Sequence, residues 1–494
     1  MTGRRCTLTI ASGNNASDRT ARLVTRIAPT ASPSELASRH VELVAARWGP
    51  DIEITIALAA TLLLRLDAFA PVLHLVVPNT RHRRLPRLRD GSLVSALEEE
   101  HSGFSSVARF TTGSSSDPCA RIVVGGDGRG VTVGASGWRC GVGDLPGEPP
   151  GNALAAAYAG VLAAAEVFQA MLVPFAGAVR RYRGRISLWD LAVDGRNGPA
   201  LPEPLDLGQI AFAACGGVAT GTFWTLALLR LTGRPLLVDP DVIDDERTNL
   251  NRHLTASHAD IGQPKANLAA AMLADAGAAP TPLPERWNTP EAAIKTVVVT
   301  PDDDSVRRQV QLDLPRTVLN GGTSDDGIYA VSRHNFLTNA CLACTARSDL
   351  VDRSPVAAAA RRMGLREDQL MPHIDNPEPL PPEVIAKATA LTHDERRRLA
   401  GVGGRQVLEH VCGTIRPMAA GPAVSAPMLS AAPGVLLASE LARLALGQEA
   451  PGSVTMTSIL TGPHSRWTFL RQKTADCACS DELYRRHYRS RWGS

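Results

Sequence analysis

The sequence predicts an α/β protein with a mostly parallel sheet, because strand and helix patterns alternate in its second half. A buried strand at residues 209–214 leads into a glycine-rich loop, and a helix follows the loop. A second apolar strand at residues 235–238 ends on an aspartate, and a third strand lies at residues 296–300. A strand that is followed by a helix and a further strand is typical of parallel sheets.

The length of 494 residues is beyond the size at which one hydrophobic core keeps growing, so we expect several domains. A segment rich in proline and glycine at residues 196–204 separates the two halves of the chain. We expect an α/β domain over residues 1–200, the nucleotide half of a second domain over 201–346, a helical insertion over 347–415, and the remainder of the second domain over 416–494.

Residues 1–200 have a mixed α/β pattern without residues for nucleotide chemistry. The pattern predicts a helix near residues 33–48, an apolar helix at 54–69, strands at 72–77, 121–124 and 130–133, and a long alanine-rich helix at 152–178. The GGDGRG run lies between two strands rather than before a helix, so it predicts a hairpin turn and not a phosphate loop. The sequence shows no internal repeat.

Composition excludes several classes of function. The net charge of +3 is too small to indicate nucleic-acid binding. The nine cysteines form no disulfide-like array and the N-terminus lacks the apolar core of a signal peptide, so we expect a reducing, cytoplasmic location. The alanine-rich segment could span a membrane by length, but it carries Glu166 and Gln169. A buried charge in mid-membrane is costly, so we expect a buried helix and no membrane contact.

The glycine-rich loop is the first candidate nucleotide site. It reads CGGVATG from Cys215, and Gly216 and Gly217 would let the backbone and the helix N-terminus approach a phosphate. Asp239 at the end of the second strand could bind ribose hydroxyls, as acids do at that position in dinucleotide-binding folds. Taken alone, a glycine-rich turn before a helix is often structural.

Charged residues beyond this loop are those that a triphosphate site requires. Arg252 in NLNRH and Lys265 in DIGQPK lie thirteen residues apart. An arginine can hold phosphate oxygens bidentately and a lysine can place a point charge on the α-phosphate, whereas hydride transfer has no use for this pair. Asp302, just after the third strand, is suited to bind Mg²⁺, with a helix N-cap as its structural alternative.

These motifs, over residues 208–479, resemble those of the E1 superfamily, which includes sulfur-carrier adenylyltransferases and ubiquitin-activating enzymes. The shared motifs occur in the family's order: CGGVATG, LLVDPD, NLNRH, DIGQPK, VVVTPDDDSVRRQ, a CxxC and a late cysteine pair. The resemblance implies a Rossmann-like adenylation domain that uses ATP and Mg²⁺. It assigns the ribose to Asp239 with Asp241 beside it, the nucleotide to Asn249, Arg252 and Lys265, and the magnesium ion to Asp302.

The chain departs from the family pattern at two places. Ala214 and Ala219 stand where the family usually has the first and last glycines of the loop, and the segment between Asp241 and Asn249 is about two residues longer than usual. Both departures concern contacts to ribose and adenine. The implied chemistry is attack by the C-terminal carboxylate of a small β-grasp protein on the α-phosphate of ATP, which gives an acyl-adenylate and pyrophosphate.

Two cysteine pairs are candidate zinc ligands. Cys341 and Cys344 form a CxxC, which alone fits zinc, redox chemistry or coincidence, and Cys477 and Cys479 form a CxC. The family has a structural zinc at these two chain positions. Because one-residue spacing strains a shared metal, His487 is an alternative fourth ligand.

Cys412 separates the functional hypotheses. It lies in EHVCGTIRP, which resembles the thioester cysteine segment of E1 enzymes that pass their cargo on, with His410 and Arg416 near enough in sequence to lower its pKa. The alternative is a buried structural cysteine. Cys215, in the loop, is interpreted as a small packing residue.

The first 200 residues resemble the degenerate adenylation half of ubiquitin-type E1 enzymes, which makes a pseudo-dimer within one chain, with a homodimer still possible. The architecture is similar to E1-like proteins of bacterial antiphage operons. Family sites are completed by an arginine from the opposing half, for which Arg19, Arg22 and Arg26 are candidates.

Three hypotheses follow. In the first, the protein adenylates a ubiquitin-like protein ending in glycine, carries it as a thioester on Cys412, and transfers it to an E2-like partner. In the second, it is a sulfur-carrier or peptide-modifying adenylyltransferase that stops at the acyl-adenylate. In the third, it is an inactive pseudo-E1 scaffold, which the joint presence of Arg252, Lys265 and Asp302 disfavours.

Overall fold

The computed structural model describes most of the 494-residue chain. The described residues are 24, 30–66, 69–101, 109–143, 150–176, 183–244, 247–288, 293–323, 328–345, 360, 363–374, 379–389, 391, 393–401, 426–448, 454–458, 462–469 and 473–493. The chain divides into two compact units, one of residues 1–344 with 423–494, and one of residues 345–422.

The strands of the first unit form two large sheets and a small one. The strands are β1 (His40–Ala45), β2 (Val72–Val76), β3 (Arg109–Thr112), β4 (Ala120–Val124), β5 (Val131–Ser136), β6 (Arg139–Val142), β7 (Gly184–Ser187), β8 (Leu205–Asp206), β9 (Ile210–Ala213), β10 (Leu231–Thr232), β11 (Leu236–Val238), β12 (Thr281–Leu283), β13 (Thr296–Val299), β14 (Thr317–Thr323), β15 (Ile328–His334), β16 (Val454–Ser458) and β17 (Gly462–Phe469).

Helices connect these strands and form the second unit. They are α1 (Pro33–Ala37), α2 (Pro50–Leu64), α3 (Leu93–His101), α4 (Ala153–Ala176), α5 (Gly217–Leu226), α6 (Arg247–Arg252), α7 (Lys265–Asp275), α8 (Asp304–Leu312), α9 (Leu342–Thr345), α10 (Glu367–Ile374), α11 (Pro382–Lys387), α12 (His393–Leu399), α13 (Pro427–Ala445) and α14 (Glu482–Trp492). Helices α10 to α12 lie in the second unit, which has its own small apolar core.

The two large sheets repeat one strand order, although the sequence shows no repeat. The first sheet runs β3-β2-β1-β4-β5-β6-β7, and the second runs β12-β11-β9-β13-β14-β15-β16-β17. In each, the first five strands of that order pair in parallel and the following ones pair antiparallel. The predicted α/β fold with a mostly parallel, Rossmann-like sheet is therefore confirmed, and each half of the first unit contains it.

The helices follow the same repeat. Helix α2 comes after β1 as α5 comes after β9, and α4 comes before β7 as α13 comes before β16. Helices α4 and α13 are long and apolar enough to cross a membrane by length and composition, but most of each helix is buried inside the fold. Both lie in the main hydrophobic core, so the interpretation of the alanine-rich segment as a buried helix is confirmed.

Two local predictions in the first half are wrong. The helix predicted near residues 33–48 ends at Ala37, and the rest is the central strand β1, because its HVELVA sequence carries buried side chains from Val41 to Leu43. The predicted GGDGRG hairpin is a parallel connection, since β4 and β5 pair in parallel. Gly125 and Gly130, with φ of +79° and +143°, let the chain return to the start of β4 within six residues.

Candidate nucleotide site and cysteine cluster

The predicted nucleotide residues meet at one edge of the second sheet. Strands β11, β9 and β13 are parallel neighbours, so their carboxyl ends lie side by side. The glycine-rich loop follows β9, Asp239 follows β11, and Asp302 follows β13 two residues beyond Thr300. Ligands of open parallel sheets bind at this edge. The backbone therefore brings together three segments that are spread over about 90 residues of the sequence.

The loop retains the conformation of a glycine-rich turn despite its alanine. Ala214 has φ of +78°, in the left-handed region that favours glycine, and it occupies the place of the missing first glycine. Helix α5 begins at Gly217, and its N-cap, Gly216, supplies no side-chain cap. The first N–H groups of the helix are therefore not capped by a side chain at the N-cap and can face an anion.

Asp239 ties the loop to the second strand. Its Oδ2 accepts a hydrogen bond from the Cys215 backbone N–H at 2.6 Å, and its Oδ1 accepts one from the Asp241 N–H at 2.8 Å. Burial raises the pKa of Asp239 above its ordinary value. Burial also raises the pKa of Cys215 well above its ordinary value, so its thiol stays neutral and buried, as expected for a packing residue.

Lys265 is the first residue of α7 and points at the same edge. Its Nζ donates to Oδ2 of Asp241 at 2.7 Å, and its own N–H donates to the Asp241 carbonyl at 2.9 Å. The lysine side chain is 8% exposed and the aspartate side chain 63% exposed. The ammonium therefore approaches the site from inside the protein, paired with a carboxylate that faces solvent.

Arg252, the last residue of α6, lies over the start of α5. A Cβ added at Gly217 would lie 3.0 Å from Cδ of Arg252 and 3.3 Å from Oγ of Ser430. Thr220 Oγ1 lies 2.8 Å from the Gly217 carbonyl oxygen and 3.3 Å from the Arg252 carbonyl oxygen. Gly217 thus leaves room for the arginine to cross the helix N-terminus, where a phosphate would bind.

His253 links the arginine segment to the loop, and sequence reasoning gave it no role. Its Nε2 lies 2.9 Å from the carbonyl oxygen of Cys215, and its Nδ1 lies 2.9 Å from the hydroxyl of Thr255. Since a carbonyl can only accept, Nε2 carries the proton. Burial lowers the pKa of His253 well below its ordinary value. Its position directly after Arg252 was the sole sequence signal for this contact.

The three aspartates after β13 have different surroundings. Asp303 is the N-cap of α8 and accepts from the Ser305 N–H at 2.7 Å, while Asp304 lies 3.7 Å from Nη1 of Arg307. The N-cap role considered for Asp302 therefore belongs to Asp303. Asp302 is exposed at the carboxyl end of β13, where its carboxylate could hold Mg²⁺, a cation that prefers oxygen ligands.

Several predicted site residues lie outside what the structure describes. Helix α6 includes Asn249, but its side chain is not among the described ones. Cys412 falls in residues 402–425, outside the described residues. The same holds for the following neighbours and candidates: His410, Arg416, Arg19, Arg22 and Arg26.

The four predicted zinc ligands form one cluster. Cys341, Cys344, Cys477 and Cys479 are buried, and their sulfur atoms all lie within 4.8 Å of one another. Sγ of Cys341 lies 3.9 Å from Sγ of Cys344 and 3.5 Å from Sγ of Cys477, and Sγ of Cys344 lies 3.4 Å from Sγ of Cys479. Sulfur ligands of a tetrahedral zinc are about 3.8 Å apart, so this donor set fits zinc. His487, the alternative ligand, is exposed on α14.

The cluster joins the C-terminal helix to the second sheet. The CxC pair directly precedes α14, whose Tyr488 stacks on Phe336 and donates to the Arg316 carbonyl at 2.8 Å. Nε1 of Trp492 donates to the Leu314 carbonyl at 2.8 Å. A metal held by both cysteine pairs would therefore fix α14 beside the start of β14.

Together, the fold and this edge define an α/β protein with a glycine-rich loop, a strand-end carboxylate and a cationic pair at the carboxyl edge of a parallel sheet. No family model matches the chain. Among curated proteins, it is 26% identical over 321 residues to an uncharacterized protein, y4jF, of Sinorhizobium fredii. The match covers 59% of this chain and 60% of that relative, so the chain spans less than two thirds of the relative's length.

Solved structures show a more distant likeness. One is E. coli MccB bound to ATP, with a TM-score of 0.36 and 13% identity over 56% of this chain and 68% of that chain. Another is the microcin C7 biosynthetic enzyme MccB in complex with N-formylated MccA, with a TM-score of 0.34 and 13% identity over 56% of this chain and 67% of that chain. PaaA has a TM-score of 0.31 and 15% identity over 54% of this chain and 64% of that chain.

Proposed function

We propose that this chain is an ATP-dependent adenylating enzyme of the E1-like class, which activates the C-terminal carboxylate of a small protein ending in glycine. The observation that supports this most is the meeting of Asp239, Lys265 and Arg252 around the uncapped N-terminus of α5. A nucleotide-binding redox domain has no need of two cations there. A nucleotidyl transfer needs them, because negative charge builds on the α-phosphate.

In the proposed reaction, a carboxylate oxygen of the carrier attacks the α-phosphorus of ATP. A new P–O bond forms, the bond between the α-phosphorus and the bridging oxygen breaks, and pyrophosphate leaves. The N–H groups of α5 and the guanidinium of Arg252 bind the phosphates, and Asp239 orients the ribose. Lys265 exchanges its partner, Asp241, for α-phosphate oxygens. Asp302 would hold Mg²⁺, which would supply positive charge to the leaving pyrophosphate. The protein accelerates the reaction by positioning the two reactants and by stabilising the negative charge of the transition state, as in phosphoryl transfer.

The first half supports an E1-like pairing of one active and one inactive domain. It repeats the strand order of the second half, but Val77 follows β2 where Asp239 follows β11. Helix α2 begins with Pro50, which has no N–H, and Asp51 lies in its first turn, paired with Arg47. A carboxylate at that position repels phosphate. This half would thus bind no nucleotide, although an aspartate, Asp127, does follow β4.

The sequence around Cys412 supports a second step. We propose that its thiolate attacks the carbonyl of the acyl-adenylate, releases AMP and holds the carrier as a thioester for an E2-like partner in the cytoplasm. Its sequence context, EHVCGTIRP, resembles the thioester segment of E1 enzymes that pass their cargo on, and His410 and Arg416 are close to it in the sequence.

The test combines ATP–pyrophosphate exchange with gel electrophoresis. Purified protein is incubated with ATP, Mg²⁺ and a candidate carrier ending in glycine, taken from a neighbouring reading frame. We expect exchange that depends on the carrier and a thiol-sensitive adduct that Cys412→Ser removes while Cys119→Ser, a half-buried control outside the site, retains it.

Each outcome separates the hypotheses. Exchange without an adduct would mean that the enzyme stops at the acyl-adenylate, as a sulfur-carrier or peptide-modifying adenylyltransferase does. Failure of exchange with every carrier, together with absence of ATP binding, would overturn the adenylation proposal and favour an inactive scaffold.

A further inference from the structure

Arg65 of the first half reaches into the nucleotide segment of the second half. It follows α2 directly, and 1% of its side chain is exposed. Its Nη1 donates to the carbonyl oxygens of Leu250 at 2.6 Å and His253 at 3.0 Å, and its Nη2 donates to the carbonyl of Ala256 at 3.0 Å. One buried guanidinium thus binds three carbonyls that are more than 180 residues away in the sequence.

These carbonyls belong to the end of α6 and the turn after it. The last carbonyls of a helix have no partner inside the helix, and α6 has six residues. A cation at this end is also favoured by the helix dipole. Burial lowers the pKa of Arg65 to about 10, so the guanidinium remains charged at neutral pH. The bonds therefore fix the backbone of the segment on either side of Arg252.

A second arginine extends the same contact. Nη1 of Arg87 donates to the carbonyl of Thr255 at 2.9 Å, and its Nη2 lies 3.1 Å from Oδ2 of Asp260. Glu100 joins both arginines, at 2.9 Å from Nε of Arg87 and 3.7 Å from Nη2 of Arg65. The first half thus holds the segment by two arginines and a carboxylate that they share. Apolar packing alone would not fix the position of this segment against the first half.

The held segment bears the groups that act on the nucleotide. Arg252 lies between the Leu250 and His253 carbonyls, and His253 contacts the Cys215 carbonyl of the glycine-rich loop. A shift of this turn would move the arginine and the loop together. We propose that Arg65 is a positioning residue, through which the half without a phosphate site sets Arg252 and the glycine-rich loop for ATP. The proposal rests on the function proposed above.

The test compares variants of the full chain by hydrogen–deuterium exchange and kinetics. In Arg65→Met, amide exchange in residues 250–256 rises at least tenfold, and kcat of carrier-dependent pyrophosphate exchange falls by roughly tenfold to a hundredfold, the cost of misplacing a reacting group. KM for the carrier stays within twofold. Arg65→Lys, which keeps the charge but cannot reach three carbonyls, recovers part of kcat.

Arg47→Met is the matched control, because it also removes an arginine of the first half that pairs with a buried group, the carboxylate of Asp51. We expect this variant to be less stable than the wild type, with unchanged amide exchange in residues 250–256 and unchanged kcat. Unchanged amide exchange in Arg65→Met and Arg65→Lys, or equal changes in Arg47→Met, would overturn the positioning role. If the wild type itself has no pyrophosphate exchange, the proposed function fails, and the amide-exchange comparison still decides whether Arg65 fixes the segment.

Discussion

Lys265 and Asp241 form an ion pair of 2.7 Å between a buried cation and an exposed anion. The lysine side chain is 8% exposed and the aspartate side chain 63% exposed. A bound triphosphate would compete with Asp241 for the same ammonium. Asp241 faces water and stays solvated when the pair opens, so the buried lysine can exchange this carboxylate for phosphate oxygens, which again pair its charge.

Replacing this lysine should abolish activity and leave the fold intact. In Lys265→Ala we expect carrier-dependent pyrophosphate exchange to fall by about 10²–10³-fold, the usual cost of losing one group that stabilises transition-state charge. The melting temperature should stay within a few degrees, because water solvates the released Asp241. Lys295→Ala, which removes an exposed lysine just before β13, is the control and should retain full activity. Normal exchange in Lys265→Ala would exclude the lysine from the site.

The buried His253 predicts a pH dependence of stability. Burial lowers its pKa well below the ordinary value, whereas in the unfolded chain it titrates near 6.5. As pH falls below about 6.5, the unfolded state gains a proton that the folded state does not bind, so the free energy of unfolding falls by up to about 1.4 kcal/mol per pH unit. This contribution is complete above pH 6.5 and is lost towards the lower folded pKa.

Urea denaturation at pH 7.5 and 5.5 measures this effect. His253→Gln keeps an N–H donor but has no group that titrates in this range, so it should lose less stability on acidification than the wild type. His393→Gln, at an exposed position of α12, should keep the wild-type difference between the two pH values. An equal pH difference in all three proteins would contradict the assignment to His253.

The sequence was sufficient to predict that the glycine-rich loop, Asp239 and Asp302 meet at one edge of the second sheet, because each follows a strand that apolar patterning reveals. It could not predict the contact of Arg65 with Leu250, because 185 residues separate them and no periodicity links them. The repeated strand order could not be predicted from the sequence either. The positions that would reveal a repeat carry different residue types in the two halves, as Val77 after β2 and Asp239 after β11 illustrate.

The glycine contact between α5 and α13 should tolerate no side chain. A Cβ on Gly434 would lie 2.4 Å from the Val218 carbonyl oxygen, and one on Gly221 would lie 2.9 Å from the Ala431 carbonyl oxygen. Backbone atoms cannot move aside as flexible side chains do. Gly434→Ala should therefore destabilise the protein by about 1–3 kcal/mol, the usual cost of overpacking. It should also weaken ATP binding, because α5 carries the glycine-rich loop.

The control for this substitution is Gly91→Ala, since a Cβ at Gly91 would meet no atom within 4 Å. Thermal unfolding and ATP titration of both variants separate the two effects. A Gly434→Ala protein with the stability and ATP affinity of Gly91→Ala would show that the helices can move apart, and that the close approach of α5 and α13 is not required.

The cysteine cluster should bind one zinc ion that stabilises the C-terminal helix. Four buried thiols within 4.8 Å of one another match a tetrahedral zinc site and hold both chain segments. Elemental analysis should find about one zinc per chain, and Cys341→Ser should reduce it. Removing the metal with a chelator should lower the melting temperature and expose the chain near Thr474 to protease, because α14 would then be held only by contacts such as that of Tyr488 with Phe336.

Cys119→Ser, outside the cluster and half-buried, should keep the metal and the protease resistance. A structural site acts on the fold and not on the reacting atoms, so the chelated protein should lose activity only as far as it loses the folded state. Loss of pyrophosphate exchange at a temperature where the chelated protein is still folded would instead assign the zinc a part in the chemistry. A metal-free protein with an unchanged melting temperature would show that zinc does not stabilise the fold.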